Sequence, residues 1–501
     1  MSLDRRISLN YAPLLNCAIP YGGDYRKEKA VVVLVGLPAR GKSYIATKLS
    51  RYLNWVGINT KVFNVGVYRR RFATKRQGHE YFSNENESAV LSRQKVAEEA
   101  LEDLISWLTT DVGEIGVFDA TNTTRHRRTW IMEECKKNLL DVLFVESICN
   151  DPKVIEENVL EVKVNSPDYV GMDREEARKD FMQRMRHYEA QYVPIDDDLD
   201  KHWSYIKIFN QGQRYLANRI EGNINSRIAY YLMNIRVKKR TIYLARHGES
   251  ELNLTGHIGG DSPLSARGQL VSLEMSLFTD VVLLRYPGFA KQLGAFMRQE
   301  NLSDLKVWTS YLRRTIETAE HVPCSAIAHW KALDELDAGV CDGMTYRDIQ
   351  EKYPEDFARR DADKYHYRYP MGESYHDLVG RLEPVIMELE RQSSVLVICH
   401  QAVARCLLAY FEDKNQDELP YLRVPLHTVF KLTPIAYRCI VERVQLQVPA
   451  VDTHRPKPAV SFSAKIPPDS LLLKAFGCEM KEEDVITLDL FSPLGQICDF
   501  T

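Results

Sequence analysis

Residues 30–43 read Ala30-Val-Val-Val-Leu-Val35-Gly36-Leu-Pro-Ala-Arg-Gly41-Lys42-Ser43, and this stretch decides the fold of the first half of the chain. Six apolar, mostly β-branched residues running into a glycine predict a strand buried on both faces of a parallel sheet. The G-x-x-x-x-G-K-S spacing then lets backbone N–H groups crowd around an anion, and a helix starting at Lys42 adds the partial positive charge of its N-terminus. In such a loop the lysine reaches the outer phosphates and the hydroxyl of Ser43 supplies an oxygen to Mg²⁺. A strand, a glycine loop and a helix in this order predict a bound nucleotide, in preference to an ordinary glycine turn.

Outward from this loop, the pattern predicts a helix over 42–53, a strand near 61–65, a helix over 88–108, a strand over 115–118, a helix after Thr124 and a strand over 142–147. Strands alternating with helices imply an open α/β sheet. Lys238, Lys239 and Arg240 form a charged junction before a new apolar strand over 241–245, and further strands are expected over 305–309 and 395–398 with helices between them. This predicts a second α/β sheet. With 501 residues the chain exceeds one ordinary core. The expected division is an N-terminal segment 1–29, a first domain 30–237, a second domain 238–449 and a poorly ordered tail 450–501, rich in Pro, Ser and Lys.

Hydrophobic residues make up 45% and charged residues 27% of the chain, as in an ordinary globular enzyme. A formal charge of -3 gives no general attraction to nucleic acid or acidic membranes, so any anionic ligand must be held by local clusters of Arg and Lys. The 10 cysteines are scattered singly, without metal-site pairs or the density of a disulfide scaffold, which predicts reduced thiols and a cytoplasmic protein. Neither an export signal nor a membrane span is predicted.

Asp119 follows the strand over 115–118, where a carboxylate can meet the metal and the acceptor hydroxyl; it could equally cap the next helix, as could Thr121 or Asn122. Arg69, Arg70 and Arg71 beside Tyr68, then Arg93, Arg127, Lys163, Arg184 and Tyr188, form a basic series richer than one nucleotide needs. Guanidinium forks grip phosphate bidentately, so the series predicts an acceptor that already carries a phosphate, against the alternative of a solvated basic face.

In the second half, Arg246-His247-Gly248-Glu249 leaves the strand over 241–245, where open α/β sheets place their ligands. Ser310, Arg313 and Arg314, Glu335 and His400 each leave a strand or loop that could share one rim with it. A neutral His247 could attack phosphorus while Arg and a second His stabilise the spreading charge and Glu335 protonates the leaving oxygen. Separate core histidines and surface arginines are the alternative.

At these residues the chain resembles the bifunctional 6-phosphofructo-2-kinase/fructose-2,6-bisphosphatase family over roughly residues 10–455, in residues 36–43, 117–122, 148–151 and 158–163 of the first half and 246–250, 308–310, 367–370 and 399–402 of the second. The wider superfamily of the second half is that of phosphoglycerate mutase. The resemblance implies a P-loop kinase domain followed by a phosphoglycerate mutase-like histidine phosphatase domain. It implies ATP on Gly36, Leu37, Pro38, Ala39, Arg40, Gly41, Lys42 and Ser43, with Asn158 and Lys163 nearby and Mg²⁺ on Ser43 and Asp119. Lys42, Asp119 and Cys149 belong by resemblance to the kinase active region, and Arg69, Arg93, Thr121, Arg127, Lys163, Arg184 and Tyr188 to fructose 6-phosphate.

For the second domain the resemblance implies a phospho-enzyme on His247, an acid at Glu335 and phosphate contacts from Arg246, Arg314 and His400. Substrate contacts carry over to Asn253, Gly259, Tyr346, Arg360, Lys364, Tyr375, Gln401 and Arg405. The chain is expected to make and unmake fructose 2,6-bisphosphate, as a homodimer, controlling glycolysis against gluconeogenesis. Two departures qualify this: an apolar insert at about 269–288, expected either to loop out or to disturb the first helix of the phosphatase domain, and the divergent tail. An inserted, impaired phosphatase or a silent scaffold are the alternatives. Arg5-Arg6-Ile7-Ser8 has the form preferred by basic-directed protein kinases, which makes Ser8 a candidate phosphorylation site.

Overall fold

The computed structural model describes residues 29–72, 77–160, 166–235, 240–277, 280–435 and 438–458. Ser8, Lys163 and the tail beyond 458 lie outside the described residues.

The run at 30–35 forms β1 (Ala30–Val35), every residue buried. It lies between two parallel neighbours, β3 (Ile115–Asp119) and β4 (Asp141–Ile148). β2 (Thr60–Asn64) extends the sheet on one side and β5 (Ser204–Phe209) on the other, also parallel; an antiparallel edge, β6 (Arg214–Asn218), completes the order β2-β3-β1-β4-β5-β6. The helices between them are α1 (Lys42–Trp55), α2 (Val65–Phe72), α3 (Glu87–Thr109), α4 (Arg125–Lys137), α5 (Pro152–Asn158), α6 (Arg174–Glu189) and α7 (Asn223–Asn234). Asn86 caps α3 by accepting from Ala89 N–H, and Thr124 caps α4 by accepting from Arg127 N–H. Because Thr124 is the cap, Asp119 does not serve as one.

The second sheet runs β11-β10-β12-β7-β13-β14. Its strands are β7 (Thr241–Arg246), β10 (Lys306–Thr309), β11 (Ala326–His329), β12 (Ser394–Cys399), β13 (Thr428–Pro434) and β14 (Cys439–Gln445), the last two antiparallel. β7 and β12 are parallel neighbours with Arg246 opposite Cys399, so His247 and His400 leave the sheet side by side. β10 flanks β12 with Thr309 opposite Ile398, which brings Ser310 to the same edge.

The insert pairs with itself. β8 (Leu270–Leu277) and β9 (Asp280–Pro287) form a two-stranded antiparallel hairpin, separate from both six-stranded sheets. It interrupts helical structure: α9 (Ala266–Gln269) stops after one turn, and α10 (Phe289–Gln299) starts beyond the hairpin. The remaining helices are α8 (Glu251–Thr255), α11 (Arg313–Ala319), α12 (Tyr346–Lys352), α13 (Pro354–Ala362), α14 (Tyr375–Arg391) and α15 (Gln401–Glu412).

One hydrophobic core is continuous between the halves, joining α1 and α7 to α14 and α15. Tyr52 stacks on Tyr231 with ring centroids 4.1 Å apart, and Trp55 Nε1–H donates to Cys406 O at 2.9 Å. Residues 450–455, expected at the start of a loose tail, instead pack on the second domain: Val451 N–H donates to buried Glu249, and Arg455 pairs with Asp361. Their backbone and side-chain partners lie far away in sequence, where composition gives no sign of them.

Candidate active sites

Gly36 leaves β1 at φ +132°, and a Cβ there would meet Ser147 O at 2.5 Å, so the first turn of the phosphate loop admits only glycine. Gly36 N–H donates to Thr121 O, and Asn122 Nδ2–H to Leu34 O, which fastens the loop to the segment following β3. Lys42 is buried and donates to Leu37 O at 2.6 Å. Asn158 Nδ2–H donates to Ala39 O, fixing the far side of the loop, where a cleft is lined by Arg40, Gly41, Cys149, Asn158 and Leu232. Asp119 ends β3, buried, and accepts from Asn64 at the end of the paired β2.

The expected basic series is gathered beside this loop by partners that the sequence did not announce. Asp168 accepts from Arg69 at 2.6 Å and from Arg184 at 3.2 Å, with Arg70 at 3.6 Å. Burial alone would raise the Asp168 carboxyl, but the three guanidinium groups hold it below its usual range. Arg184 also lies 3.8 Å over the Phe82 ring, and Phe82 packs on Tyr188. Arg93 donates to Tyr81 O and Ser83 O in the 3₁₀ turn His79–Phe82 and just beyond it. Burial brings Arg127 down to about 10, and its Nη1–H donates to Gln94. Among the described residues the buried Nε atoms of Arg127 and Arg184 have no hydrogen-bond partner. Arg71 instead stacks on Tyr68, whose hydroxyl donates to Asp103, and so stands outside the set.

In the second domain His247 is buried, and its Nδ1 lies 2.7 Å from Gly248 O. A carbonyl only accepts, so Nδ1 carries the hydrogen and Nε2 keeps its lone pair. Burial, then Arg314 and Arg246, push the ring well below the usual histidine range. The His400 ring lies 5.1 Å away and is pushed down in the same way, by burial and then Arg314. His400 Nε2 contacts Ser310 Oγ at 2.8 Å; its Nδ1, like Arg246 Nε, is buried without a partner among the described residues. Arg246 donates to Val424 O and Thr453 Oγ1, and burial lowers it to about 10. Arg314 Nη1–H donates to Gly260 O. Glu335 accepts backbone N–H bonds from Leu336, Gln401 and Ala402, the last two opening α15.

The remaining expected contacts form one basic wall. Arg360 donates to Tyr369 and Tyr346, Arg405 to Tyr375 and to Leu422 O, and Lys364 to Pro420 O. Burial, followed by Arg405, Arg360 and Arg455, depresses Lys364 to about 6. Gly259, at φ +74°, could not carry a Cβ beside Asp342, and Asn253 closes a capping box with Ser250. Gln401 Nε2 reaches Thr453 at 3.4 Å. Thr453, Asp168, Asn64 and Asp342 were not foreseen.

Comparison with known proteins follows this geometry. Residues 20–239 match the family described as 6-phosphofructo-2-kinase, and residues 289–447 the histidine phosphatase superfamily, branch 1. The second match starts just beyond the hairpin, so β7 and His247 precede it. Similar curated proteins include 6-phosphofructo-2-kinase/fructose-2,6-bisphosphatase 1 of Rattus norvegicus, 56% identical over 87% of this chain and 88% of the relative. The Homo sapiens form 1 is 56% identical with the same coverage. The Aquarana catesbeiana 6-phosphofructo-2-kinase/fructose-2,6-bisphosphatase is 54% identical over 89% and 91%. With both domains present and most of its length shared with these relatives, the chain belongs to the bifunctional 6-phosphofructo-2-kinase/fructose-2,6-bisphosphatase family.

Proposed function

We propose that the P-loop domain transfers the γ-phosphoryl group of ATP to the 2-hydroxyl of fructose 6-phosphate, and that the histidine phosphatase domain returns the product to fructose 6-phosphate and phosphate. In the first step the sugar oxygen bonds to phosphorus as the bond to ADP breaks, and the hydroxyl proton is released to solvent. Lys42 and the loop N–H groups hold the nucleotide phosphates, and Arg69, Arg93, Arg127 and Arg184 hold the 6-phosphate. Asp119 and Ser43 are a donor set suited to Mg²⁺, which takes hard oxygen ligands and leaves positions for phosphate and water. Bound there, the ion would neutralise charge on the transferring group.

In the second step His247 Nε2 bonds to the 2-phosphoryl phosphorus while the bond to the sugar oxygen breaks, with Glu335 as the group that gives that oxygen its proton. Water then attacks the phosphohistidine and releases phosphate. The observation that carries this reading is the His247 ring itself: its Nδ1 is engaged by Gly248 O, leaving Nε2 with its lone pair beside Arg246, Arg314 and His400. Rapid acid-free quenching with fructose 2,6-[2-³²P]bisphosphate tests it, with label expected on His247 alone; turnover without any labelled histidine refutes it.

A reading in which the insert impairs the phosphatase draws on a second observation. A Cβ at Gly268, before the hairpin, would meet Glu249 O at 2.4 Å, and Phe289, after it, stacks on His427, which accepts from Glu249 N–H. Both roots of the hairpin thus abut the catalytic loop. Control of glycolysis against gluconeogenesis, a homodimeric state, cytoplasmic residence and phosphorylation at Ser8 remain part of the proposal. They rest on the family likeness, the singly placed cysteines and the Arg-Arg-x-Ser motif. No helix among the described residues is long and apolar enough to cross a membrane.

A further inference from the structure

His79 and His187 face one another across the entrance of the basic series, their rings nearly parallel with centroids 5.6 Å apart and His79 Nδ1 3.3 Å from His187 Nε2. Both rings are half-buried. His79 opens the 3₁₀ turn whose Tyr81 accepts from Arg93 and whose Phe82 lies beneath Arg69 and Arg184; His187 sits on α6 next to Tyr188 and one turn beyond Arg184. The two histidines therefore belong to α6, which carries Arg184, and to the turn whose carbonyl and ring contact Arg93, Arg69 and Arg184.

We propose that this histidine pair is a proton-sensitive latch that holds the 3₁₀ turn against α6 and thereby sets the affinity of the kinase site for its phosphorylated acceptor. The inference rests on the sugar-phosphate reading above and adds its regulation. A ring N–H can donate only to a ring nitrogen that keeps its lone pair, so the contact exists while at least one of the two imidazoles is neutral. When both rings are protonated, two donors of like charge face each other and the turn is driven off α6, taking with it the carbonyl and ring that orient Arg93, Arg69 and Arg184.

Charged neighbours of the pair include Glu80 beside His79 in the turn, Arg184, Arg186 and Glu189 around His187 on α6, and Asp180 and Arg93, which bond to the backbone of the turn. Among the described residues none of their carboxylates is hydrogen-bonded to either ring. Asp180 accepts instead from His79 backbone N–H and from the Tyr169 hydroxyl, so its hydrogen bonds anchor the backbone of the turn. The latch therefore lacks a carboxylate bond that would hold it shut in acid.

The test measures initial kinase rates with fructose 6-phosphate at pH 7.5 and 6.0 for the intact chain and for His187→Gln, which cannot titrate. The substrate's own phosphate also titrates in this range, and the variant retains only that effect. We expect KM to rise between pH 7.5 and 6.0 by about fivefold more in the wild type than in the variant, with kcat changing in parallel in both. Superimposable KM profiles, or a difference confined to kcat, overturn the latch. His79→Gln removes the other ring and must give the same result, which covers the case in which His187→Gln fails to fold. Absence of fructose 6-phosphate-dependent turnover at pH 7.5 in the wild type overturns the functional reading and the latch with it; turnover with matched profiles overturns the latch alone.

Discussion

In the proposed hydrolysis the hydrogen bond on the far side of the His247 ring leaves Nε2 its lone pair, and burial beside Arg314 and Arg246 lowers the ring's proton affinity. The sign of the resulting pH dependence follows: the proposed step needs the neutral ring, and a lowered value keeps it neutral further into acid. The kcat/KM of hydrolysis should therefore show no fall attributable to His247 between pH 8 and 6, whereas an unperturbed histidine would lose about half its neutral form by pH 6.5. An acid limb near 6.5 beyond the one set by titration of the substrate's own phosphates would contradict this. Lys364 is depressed to about 6 by burial and three neighbouring arginines, which favours its neutral form at pH 7.5. An incoming phosphate restores the charged form, so calorimetry in buffers of different ionisation enthalpy should find proton uptake on binding at pH 7.5. That uptake should be lost in Lys364→Met; equal uptake in both proteins would exclude the lysine as its source.

Parallel pairing does most of the work at the scale of elements. Register sets Arg246 opposite Cys399 and Thr309 opposite Ile398, so three strands deliver His247, His400 and Ser310 to one edge. Much of this was legible beforehand, because buried parallel strands are uninterrupted apolar runs and their ends are marked by the residues that do chemistry. The antiparallel edge strands β6 and β14 were not legible: each carries mixed polar residues that read equally well as loop. Nor were the partners that orient the site. Asp168 lies 99 residues from Arg69 and Thr453 lies 207 from Arg246, and no local pattern encodes such a pairing. The hairpin shows the same limit, since its apolar composition announces an insert but neither the two strands nor their pairing. Because both of its roots touch the His247 to Glu249 loop, deletion of residues 269–288 should change kcat/KM of hydrolysis by at least about threefold and leave the kinase rate within about twofold. Equal hydrolysis by the deleted and intact chains would show that the hairpin is passive.

Across the whole molecule the two halves are joined by a buried charged cluster as well as by apolar packing. Glu390 accepts from Lys48, Arg240 and Tyr410. Burial would raise its carboxyl, but Arg240 and Lys48 bring it down to about 2. A depressed carboxylate contributes stability that is present above its unfolded value near 4.5 and is lost as pH falls towards 2. Glu390→Gln leaves two cations buried without their counter-charge and should cost about 3–5 kcal/mol at pH 7. The difference in melting temperature from the wild type should shrink between pH 5 and 3, and a constant difference would place the cost elsewhere.

The cluster fastens α1, which begins at the phosphate loop, to the domain whose α15 begins at His400, yet the chemistry at the two ends remains separate. Kinase and hydrolase rates measured on single preparations of the wild type, Lys42→Ala and His247→Ala test that separation most directly. The lysine variant should lose synthesis of fructose 2,6-bisphosphate by about 10²-fold or more while hydrolysing it normally, and the histidine variant should do the reverse. Loss of both activities in either variant, in a chain that melts like the wild type, would contradict two independent phosphate-handling sites.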